Sequence, residues 1–332
     1  MIHNSINSVL VTGGGGYVGV VLVPKLLQAG YRVKVIDWYI YGDKLFSKHK
    51  NLLEIKGDIR NKKLLIKELR GIDAVIHLAA ISNDPTFDLN PNLAKSVNFE
   101  ASKMLAELSL ESNVKRFIFI STSSVYGIKK EKYVTENLPL KPLTDYSKYK
   151  ALSEKYVLSK SKPGLTVLVL RPATVCGYSP RMRFDLTVNL LTIQALVRKK
   201  IAVFGGKQLR PNIHIEDITD LYVKSLKYPD EAIARKIFNA GYENLSVSAI
   251  ARLVKNVLND PAVAISVSPT ADLRSYHISS QKIARELGFF PKHTVEEAIR
   301  DIKKAYENGL FIKPLENELY YNLKLMKKIK LK

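Results

Sequence analysis

A glycine-rich loop between an apolar strand and a helical segment, close to the start of the chain, most constrains the fold. The loop reads Thr-Gly-Gly-Gly-Gly-Tyr-Val-Gly over residues 12–19, and the apolar residues before it fit a short buried strand. Five further apolar runs alternate with helical patterns up to residue 170. Runs of this kind are typical of strands buried on both faces, so they indicate a parallel sheet with helices on both sides.

The coarse pattern divides the chain into a regular first half and a less regular second half. We predict strands at residues 9–12, 32–36, 52–55, 74–78, 116–120 and 166–170, and helices at 17–29, 61–69, 92–112 and 145–161. After residue 172 we predict helices at 186–198, 216–226, 247–258, 279–287 and 295–308, with strand-like pieces at 201–204 and 236–239. The fold class is α/β, a Rossmann-type doubly wound parallel sheet with a smaller mixed α/β lobe.

The loop glycines have the spacing of a dinucleotide-binding site. Of Gly13, Gly16 and Gly19, one permits the tight turn, one lets the backbone approach a pyrophosphate, and one lets helix and strand pack closely. The pyrophosphate would lie at the helix N-terminus beside Tyr17 and Val18, where free amide groups and the helix dipole favour anions. A glycine-rich turn that binds no ligand is the alternative.

Acidic residues follow the second and third predicted strands. Asp37 lies 18 residues beyond Gly19, where a carboxylate can accept hydrogen bonds from both ribose hydroxyls and would repel a 2′-phosphate. This favours NAD over NADP. Asp58 and Ile59 are expected to line the adenine. The alternatives are a surface aspartate at position 37 and a helix cap at Asp58.

Tyr146 and Lys150 are one turn apart on a predicted helix and therefore share a face. A free tyrosine, with a pKa of about 10, is a poor base at neutral pH. A nearby ammonium and a positive nicotinamide ring both favour phenolate, so we expect the pKa of Tyr146 to fall. Tyr146 would take the proton of an alcohol, Lys150 would hold the nicotinamide ribose, and Thr122 would orient the alcohol oxygen. Chance is the alternative, since Tyr-x-x-x-Lys is common in helices.

The chain resembles the extended short-chain dehydrogenases/reductases of the nucleotide-sugar epimerase/dehydratase family. The resemblance rests on the glycine loop, His-Leu-Ala-Ala at 77–80, the segment around Thr122, the Tyr146/Lys150 pair, Arg171-Pro172, and residues 210–214 and 273–276. It implies that Leu78, Ala79 and Ala80 line a bound NAD. It also implies a sugar linked to a nucleoside diphosphate as substrate, with Arg210 and Arg274 on the diphosphate, and a homodimer formed through two helices per subunit.

Departures from the family pattern bear on the reaction. Enzymes similar to dTDP-glucose 4,6-dehydratase carry Asp and Glu after the threonine, where this chain has Ser123 and Ser124. Serine cannot supply carboxylate acid–base chemistry, so dehydration is disfavoured and we expect both serines to contact the sugar. Thr174 replaces an asparagine that contacts substrate in many 4-epimerases. Cys176 replaces a common tyrosine; we expect a small buried residue there, with a catalytic thiol as the alternative.

A narrower resemblance covers residues 173–189. This stretch is similar to a subgroup that includes GDP-heptose C4-oxidising enzymes, and on this ground Arg183 and Asn189 are assigned to the substrate. Arg181 is a further candidate, and surface arginines beside a turn are the alternative. We therefore favour an NAD-dependent nucleotide-sugar epimerase that transiently oxidises a hydroxyl, at C4. A C4 dehydrogenase or reductase with an exchanging cofactor is the second hypothesis, and an NAD-binding sensor is the non-enzyme alternative.

Composition excludes several other classes of protein. The net charge of +21 comes from scattered lysines, so we prefer a solvated surface that attracts anionic substrates over nucleic-acid or lipid binding. No apolar run reaches the ~20 residues that span a bilayer. No signal peptide is evident, so we expect a cytoplasmic protein. The single cysteine excludes an internal disulfide, and no residues have convincing metal-ligand spacing.

The motifs divide the chain into two lobes and a tail. We place the NAD-binding domain at residues 1–172, with the chain returning to it around 211–240, and the substrate-binding lobe at 173–210 and 241–314. Residues 315–332 form a basic tail with apolar residues at helical spacing: Leu315, Leu319, Leu323, Met326 and Ile329. We expect this tail to dock on its own subunit or a second one, and contact with an anionic membrane surface is the alternative.

Overall fold

The computed structural model describes residues 6–270 and 275–329. These residues contain the strands β1 Ser8–Thr12, β2 Arg32–Asp37, β3 Leu52–Lys56, β4 Ala74–His77, β5 Arg116–Ile120, β6 Thr166–Pro172, β7 Thr174–Cys176, β8 Lys200–Phe204, β9 Leu209–His214, β10 Lys236–Ala240, β11 Glu243–Ser246 and β12 Ala264–Ser268. Their α-helices are α1 Gly19–Gln28, α2 Lys62–Glu68, α3 Asp84–Phe87, α4 Pro91–Lys95, α5 Ala101–Glu111, α6 Asp145–Ser159, α7 Thr187–Arg198, α8 Ile215–Lys224, α9 Asp230–Ile233, α10 Val247–Leu258, α11 Gln281–Leu287, α12 Val295–Glu307 and α13 Asn322–Ile329.

A seven-stranded parallel sheet forms the centre of the larger lobe. Its strand order is β10-β6-β5-β4-β1-β2-β3, and every pairing in it is parallel. The order reverses at β1, where Thr12 lies beside Ile36 of β2 on one side and His77 of β4 on the other. In sheets of this kind a crevice opens beyond the carboxyl ends of the strands at such a switch point. This confirms the predicted Rossmann-type fold.

A smaller lobe with two short sheets lies beyond β6. One sheet has the order β11-β9-β7 and is mixed, and the other pairs β12 with β8 in parallel. Buried residues of α7, α10 and α12, such as Ile193, Val254 and Ile299, join one apolar core. Strand β10 pairs with β6 and so belongs to the large sheet. The exact lobe boundaries stay a prediction.

The helix predicted at 92–112 is not continuous, so that prediction was wrong in part. Helix α4 ends at Lys95, a π-helical turn covers Ser96–Glu100, and α5 follows. The wide turn contains the buried Asn98, whose amide bonds both the N–H and the C=O of Ile81, at 2.8 and 2.9 Å. These contacts anchor the helix to the chain after β4 and explain a π-turn that local sequence does not signal.

The basic tail docks on its own subunit, as we expected. In α13, Leu325 and Met326 are both 6% exposed, and Met326 joins the apolar core that contains Ile59, Phe87 and Val97. The lysines of α13 that are described lie on its outer side. In the described part of the chain, no helix has both the length and the apolar character needed to cross a membrane.

Candidate active site

A cleft opens at the carboxyl ends of β1, β2, β4 and β5, at the switch point of the large sheet. Its walls include every residue assigned to the cofactor from the sequence except Asp58: Gly13, Gly16, Tyr17, Val18, Gly19, Asp37, Ile59, Leu78, Ala79, Ala80, Tyr146 and Lys150. The cleft also takes in residues that the sequence did not single out, from the chain after β2 and from α13. The motifs separated along the sequence are thus gathered around one space.

The glycine loop is shaped for close backbone approach. Gly13 has φ +76°, and a Cβ there would lie 2.5 Å from the amide nitrogen of Ala79. A Cβ on Gly19 would lie 2.4 Å from the carbonyl oxygen of Gly14. Helix α1 begins at Gly19, and no side chain caps its N-terminus. The amides of Val20, Val21 and Leu22 bond to carbonyl oxygens of Gly16 and Val18. An anion such as the pyrophosphate of a dinucleotide would therefore meet the amides of the loop just before them, at the positive end of the helix dipole.

Asp37 lies beside this loop and is held there by the backbone. Its carboxylate accepts hydrogen bonds from the amides of Gly15, at 2.9 Å, and Tyr39, at 2.7 Å. Burial raises the pKa of Asp37, and these amide donors oppose the rise. The side chain is therefore fixed at the position where the adenosine ribose of a dinucleotide is expected.

Asp58 does not fit either of its sequence-based interpretations. Its carboxylate pairs with Arg60, with 2.7 Å between Oδ2 and Nη2, and it is absent from the cleft wall, whereas Ile59 lines it. The cap of α2 is Asn61, which accepts from the amide of Leu64. Asp58 thus bonds locally to Arg60, whose guanidinium lies 5.6 Å from the ring centroid of Trp38.

Tyr146 is half-buried and lines the cleft, and its phenol group lies in an electrostatic setting that differs from the one we expected. Burial raises the pKa of Tyr146, the charge of Asp84 raises it further, and Arg183 and a hydrogen bond with Thr122 lower it. Without cofactor the pKa of Tyr146 is therefore raised, and the fall that we expect with the nicotinamide ring in place stays a prediction. The reason is that burial penalises phenolate more than the neighbouring groups favour it.

The ammonium of Lys150 is directed at the backbone. It donates to the carbonyl oxygen of Ile120 at 2.8 Å and is 4% exposed. Burial lowers the pKa of Lys150 to about 8, and the charge of Glu154 opposes the fall. Lys150 is thus held at the end of β5, within the cleft, with its charge only partly compensated.

A buried ionic network connects α6 to the neighbouring strand β6, and it was not predicted from the sequence. Glu154 pairs with Arg171, with 2.6 Å between Oε2 and Nη2, and accepts a hydrogen bond from Ser121. Arg171 also donates to the hydroxyl of Tyr126 at 2.7 Å. The available signal was spacing, because Glu154 follows Lys150 by four residues and so continues the same helix face.

Of the residues assigned to the sugar, Arg183 has the clearest place in the cleft. It lines the wall, pairs with Asp185 at 2.9 Å, and acts electrostatically on Tyr146. Ser124 lies 3.1 Å from the Thr122 hydroxyl, oxygen to oxygen, whereas Ser123 is 2% exposed. Thr174 begins β7 and is half-buried, outside the cleft wall.

Asn189 has a structural place, which does not support its assignment to the substrate. Its side-chain carbonyl accepts from the amide of Gly177 at 3.1 Å. Its amide group donates to the hydroxyl of Tyr17 at 3.1 Å and to the carbonyl oxygen of Arg183 at 2.9 Å. Asn189 is fully buried, so it ties the glycine loop to the segment that carries Arg183.

Arg210, one of the two arginines assigned to the diphosphate, is not part of the cleft wall. Arg210 donates to the carbonyl oxygen of Leu209, and its guanidinium lies 5.2 Å from the ring centroid of Tyr276. Tyr276 in turn acts electrostatically on Tyr146, so Arg210 belongs to the same side of the protein. Arg274 lies outside the described residues. Cys176 is fully buried, and burial raises the pKa of its thiol, as expected of a packing residue.

The fold and the cleft together define a dinucleotide-binding α/β enzyme with a Tyr–Lys pair. The chain belongs to the NAD-dependent epimerase/dehydratase family, whose model matches residues 9–241. It is 30% identical over 328 residues to a UDP-glucose 4-epimerase from Lactobacillus helveticus, covering 90% of this chain and 97% of that protein. The protein is accordingly an NAD-dependent nucleotide-sugar epimerase or oxidoreductase.

Solved structures of similar enzymes contain NAD. The UDP-glucuronic acid 4-epimerase from Bacillus cereus, in complex with UDP-glucuronic acid and NAD, matches with a TM-score of 0.81 at 27% identity, covering 92% of this chain and 100% of that one. A dTDP-glucose 4,6-dehydratase from Streptomyces venezuelae, with NAD bound, matches with a TM-score of 0.83 at 25% identity, covering 93% and 100%. NAD is therefore the cofactor, and both epimerases and dehydratases are among the neighbours.

Proposed function

We propose that the protein is a nucleotide-sugar 4-epimerase, with Tyr146 as the group that removes and returns the proton of the C4 hydroxyl. The observation that carries this proposal is the position of Tyr146, which lines one cleft together with the glycine loop, Lys150 and Arg183. The similarity to UDP-glucose 4-epimerases makes UDP-glucose and UDP-galactose the first substrates to test.

The residues of the chain divide the work of binding and proton transfer. The N-terminus of α1 and Asp37 hold the dinucleotide, and Arg183 contacts the sugar nucleotide. Thr122 orients the sugar hydroxyl by donating to or accepting from the same oxygen that faces Tyr146. When bound, NAD supplies reversible two-electron oxidation of the alcohol carbon, which allows the configuration at that carbon to invert.

Proton transfer to Tyr146 requires its phenolate, which burial opposes. The charge of Arg183 and the interaction with Thr122 both favour phenolate. Lys150 lines the same cleft one helical turn away. A cationic nicotinamide ring beside the phenol would add to these effects. We infer that the binding of cofactor brings the pKa of Tyr146 down, so the base becomes effective only in the assembled site.

The residues after Thr122 support epimerisation over dehydration. Ser123 is almost completely buried, and the Ser124 hydroxyl is engaged with Thr122. Neither position offers a carboxyl group to protonate a leaving hydroxyl, which elimination requires. A C4 dehydrogenase or reductase uses the same Tyr146 chemistry and differs only in whether the cofactor leaves, so it is the second candidate.

Isotope retention separates these two activities. The purified protein is incubated with UDP-glucose deuterated at C4, and products are followed by NMR and mass spectrometry. An epimerase gives UDP-galactose that keeps the label, with no net reduction of added NAD. A dehydrogenase transfers the label to added NAD and accumulates a keto sugar. No turnover of any nucleotide sugar in a panel of UDP-, GDP- and dTDP-sugars would contradict both.

Removing the Tyr146 hydroxyl tests the role of the base. We expect Tyr146→Phe to reduce kcat by at least about 100-fold, the usual contribution of a positioned base, while the protein still binds NAD. Tyr149→Phe is the matched control, because Tyr149 is on the same helix and stacks on Phe87 with ring centroids 5.7 Å apart. Equal turnover by Tyr146→Phe and wild type would reject a catalytic role, as an NAD-binding sensor predicts.

A further inference from the structure

Arg181 is a buried cation without a carboxylate partner. It is 4% exposed, and none of the ion pairs seen among the described residues includes it. Its guanidinium lies 3.6 Å from the ring centroid of Tyr41 and donates from Nη2 to the side-chain oxygen of Asn322 at 2.6 Å. Its Nε is buried and has no hydrogen-bond partner. A buried charge in this state is costly unless a ligand compensates it.

Comparison with Arg171 shows what is unusual about Arg181. Arg171 is 2% exposed but is matched by the carboxylate of Glu154 and the hydroxyl of Tyr126. The pKa of Arg171 is accordingly raised. Burial lowers the pKa of Arg181 to about 10, and the more distant charges of Asp185 and Asp37 only partly oppose this fall. Arg171 is therefore structural, whereas Arg181 has donor capacity left over.

The unpaired guanidinium lies in the wall of the cleft. Burial raises the pKa of Asp37, at the end of β2, and that of Tyr17, just before the N-terminus of α1, and the charge of Arg181 opposes both rises. Asp37 and Tyr17 flank the position where the pyrophosphate of a dinucleotide meets the loop amides before α1. Arg181, from the segment between β7 and α7, therefore lies close enough to this position for its charge to act there. A planar guanidinium with free N–H groups suits phosphate oxygens.

The C-terminal tail holds Arg181 in this place. Asn322, the first residue of α13, is 3% exposed and lines the cleft together with Met326. Its side-chain amide donates to the Ser82 hydroxyl at 2.9 Å, and its backbone amide donates to Asp185 at 3.3 Å. These bonds leave the side-chain oxygen of Asn322 directed at Arg181. The tail is consequently part of the cleft wall.

We propose that Arg181 binds the pyrophosphate of the dinucleotide and that Asn322, from the C-terminal tail, is its positioning residue. The assignment rests on the NAD site described above but goes beyond it, because it places a cation from the small lobe and a residue from the tail in the cofactor site. The tail then contributes to cofactor affinity through one buried side-chain contact.

Ligands with and without the pyrophosphate test this assignment. Affinities of the cofactor-free protein for ADP-ribose, adenosine and UDP are measured by calorimetry. We expect Arg181→Met to weaken ADP-ribose binding by about 10- to 100-fold, the range of a hydrogen bond to a charged group, and to leave adenosine binding unchanged. Equal binding of ADP-ribose by variant and wild type would overturn the proposal, as would a loss confined to UDP.

Two substitutions at Asn322, one neutral and one negatively charged, test whether this residue positions Arg181. Asn322→Ala should weaken ADP-ribose binding by roughly 3- to 10-fold. Asn322→Asp should weaken it further, because a carboxylate beside Arg181 would neutralise it and repel the pyrophosphate, without lowering the melting temperature. Lys327→Ala, at an exposed position of α13, is the control. A weaker effect of Asn322→Asp than of Asn322→Ala would refute the role. Absence of ADP-ribose binding by the wild type would instead contradict the dinucleotide site itself.

Discussion

Replacement of Lys150 by methionine should stabilise the protein while abolishing its activity. Burial lowers the pKa of Lys150 from 10.5 to about 8, and each tenfold change in proton affinity corresponds to about 1.4 kcal/mol. The charged side chain therefore costs about 3 kcal/mol of folding free energy at neutral pH. Loss of the hydrogen bond from Lys150 to the carbonyl oxygen of Ile120 destabilises the variant by about 1 kcal/mol. We expect a net gain of about 2 kcal/mol.

The neighbouring charges allow this substitution. Glu154 is the carboxylate whose charge acts on Lys150. When the ammonium is removed, Glu154 keeps its ion pair with Arg171 and its hydrogen bond from Ser121. No buried anion is left unpaired by Lys150→Met, which is the usual reason that a buried charge cannot be deleted. Methionine also retains most of the apolar stem of lysine.

The pH dependence of the gain identifies its origin. Below pH 8, Lys150 is charged in both the folded and the unfolded state, so the folded state bears the full penalty. Between pH 8 and 10.5 the folded state loses its proton first, and the penalty disappears. Urea unfolding of the cofactor-free proteins should therefore favour the variant by about 2 kcal/mol at pH 7. This gain should vanish as the pH rises towards 10.5, where only the hydrogen bond of the wild type, about 1 kcal/mol, remains. Lys155→Met, exposed on the same helix, is the control. A variant less stable than wild type at pH 7, or a pH-independent difference, would refute the reasoning.

Three further substitutions have defined outcomes. Glu154→Gln leaves Arg171 buried without its counter-charge, so urea unfolding should show a loss of about 3 kcal/mol or more; a smaller loss would mean that water reaches the guanidinium. Gly19→Ala places a Cβ 2.4 Å from the carbonyl oxygen of Gly14, so we expect the variant to lose NADH binding, measured by fluorescence. An unchanged affinity for NADH would contradict the close packing of the loop. Cys176→Ala should retain full turnover in the epimerase assay, because a buried, protonated thiol takes no part in proton transfer; a large loss of kcat would revive the thiol hypothesis.

The parts of the fold that follow from local pattern were predictable. The large sheet could be predicted because its strands are apolar runs buried on both faces, as in the fully buried β1 and β5. Tyr146 and Lys150 could be assigned because helical spacing alone puts them on one face, and α6 begins at Asp145 as the pattern predicts. Periodicity and glycine spacing are short-range signals that need no knowledge of tertiary contacts.

Tertiary contacts decided the features that the sequence did not reveal. Arg181 and Asn322 are 141 residues apart, and no local pattern relates them. Asn189 was assigned to the substrate from a sequence resemblance. In the structure it instead hydrogen-bonds both the Tyr17 hydroxyl and the carbonyl oxygen of Arg183, a contact that depends on the tertiary packing. The raised pKa of Tyr146 in the absence of cofactor was not foreseen for the same reason, because burial is a property of the whole fold and spacing reports only the neighbouring charge.

The docking of α13 bears on the choice between epimerase and dehydrogenase. Any opening of the cleft that detaches α13 exposes Leu325 and Met326, which are both buried. Exposing two such side chains costs about 3–6 kcal/mol, which would slow an exchange of cofactor that depends on this movement. An epimerase regenerates its cofactor in every cycle and is not limited by such a barrier, whereas a dehydrogenase must overcome it at each turnover. The packing of the tail is thus a barrier only to a cofactor exchange that requires α13 to detach.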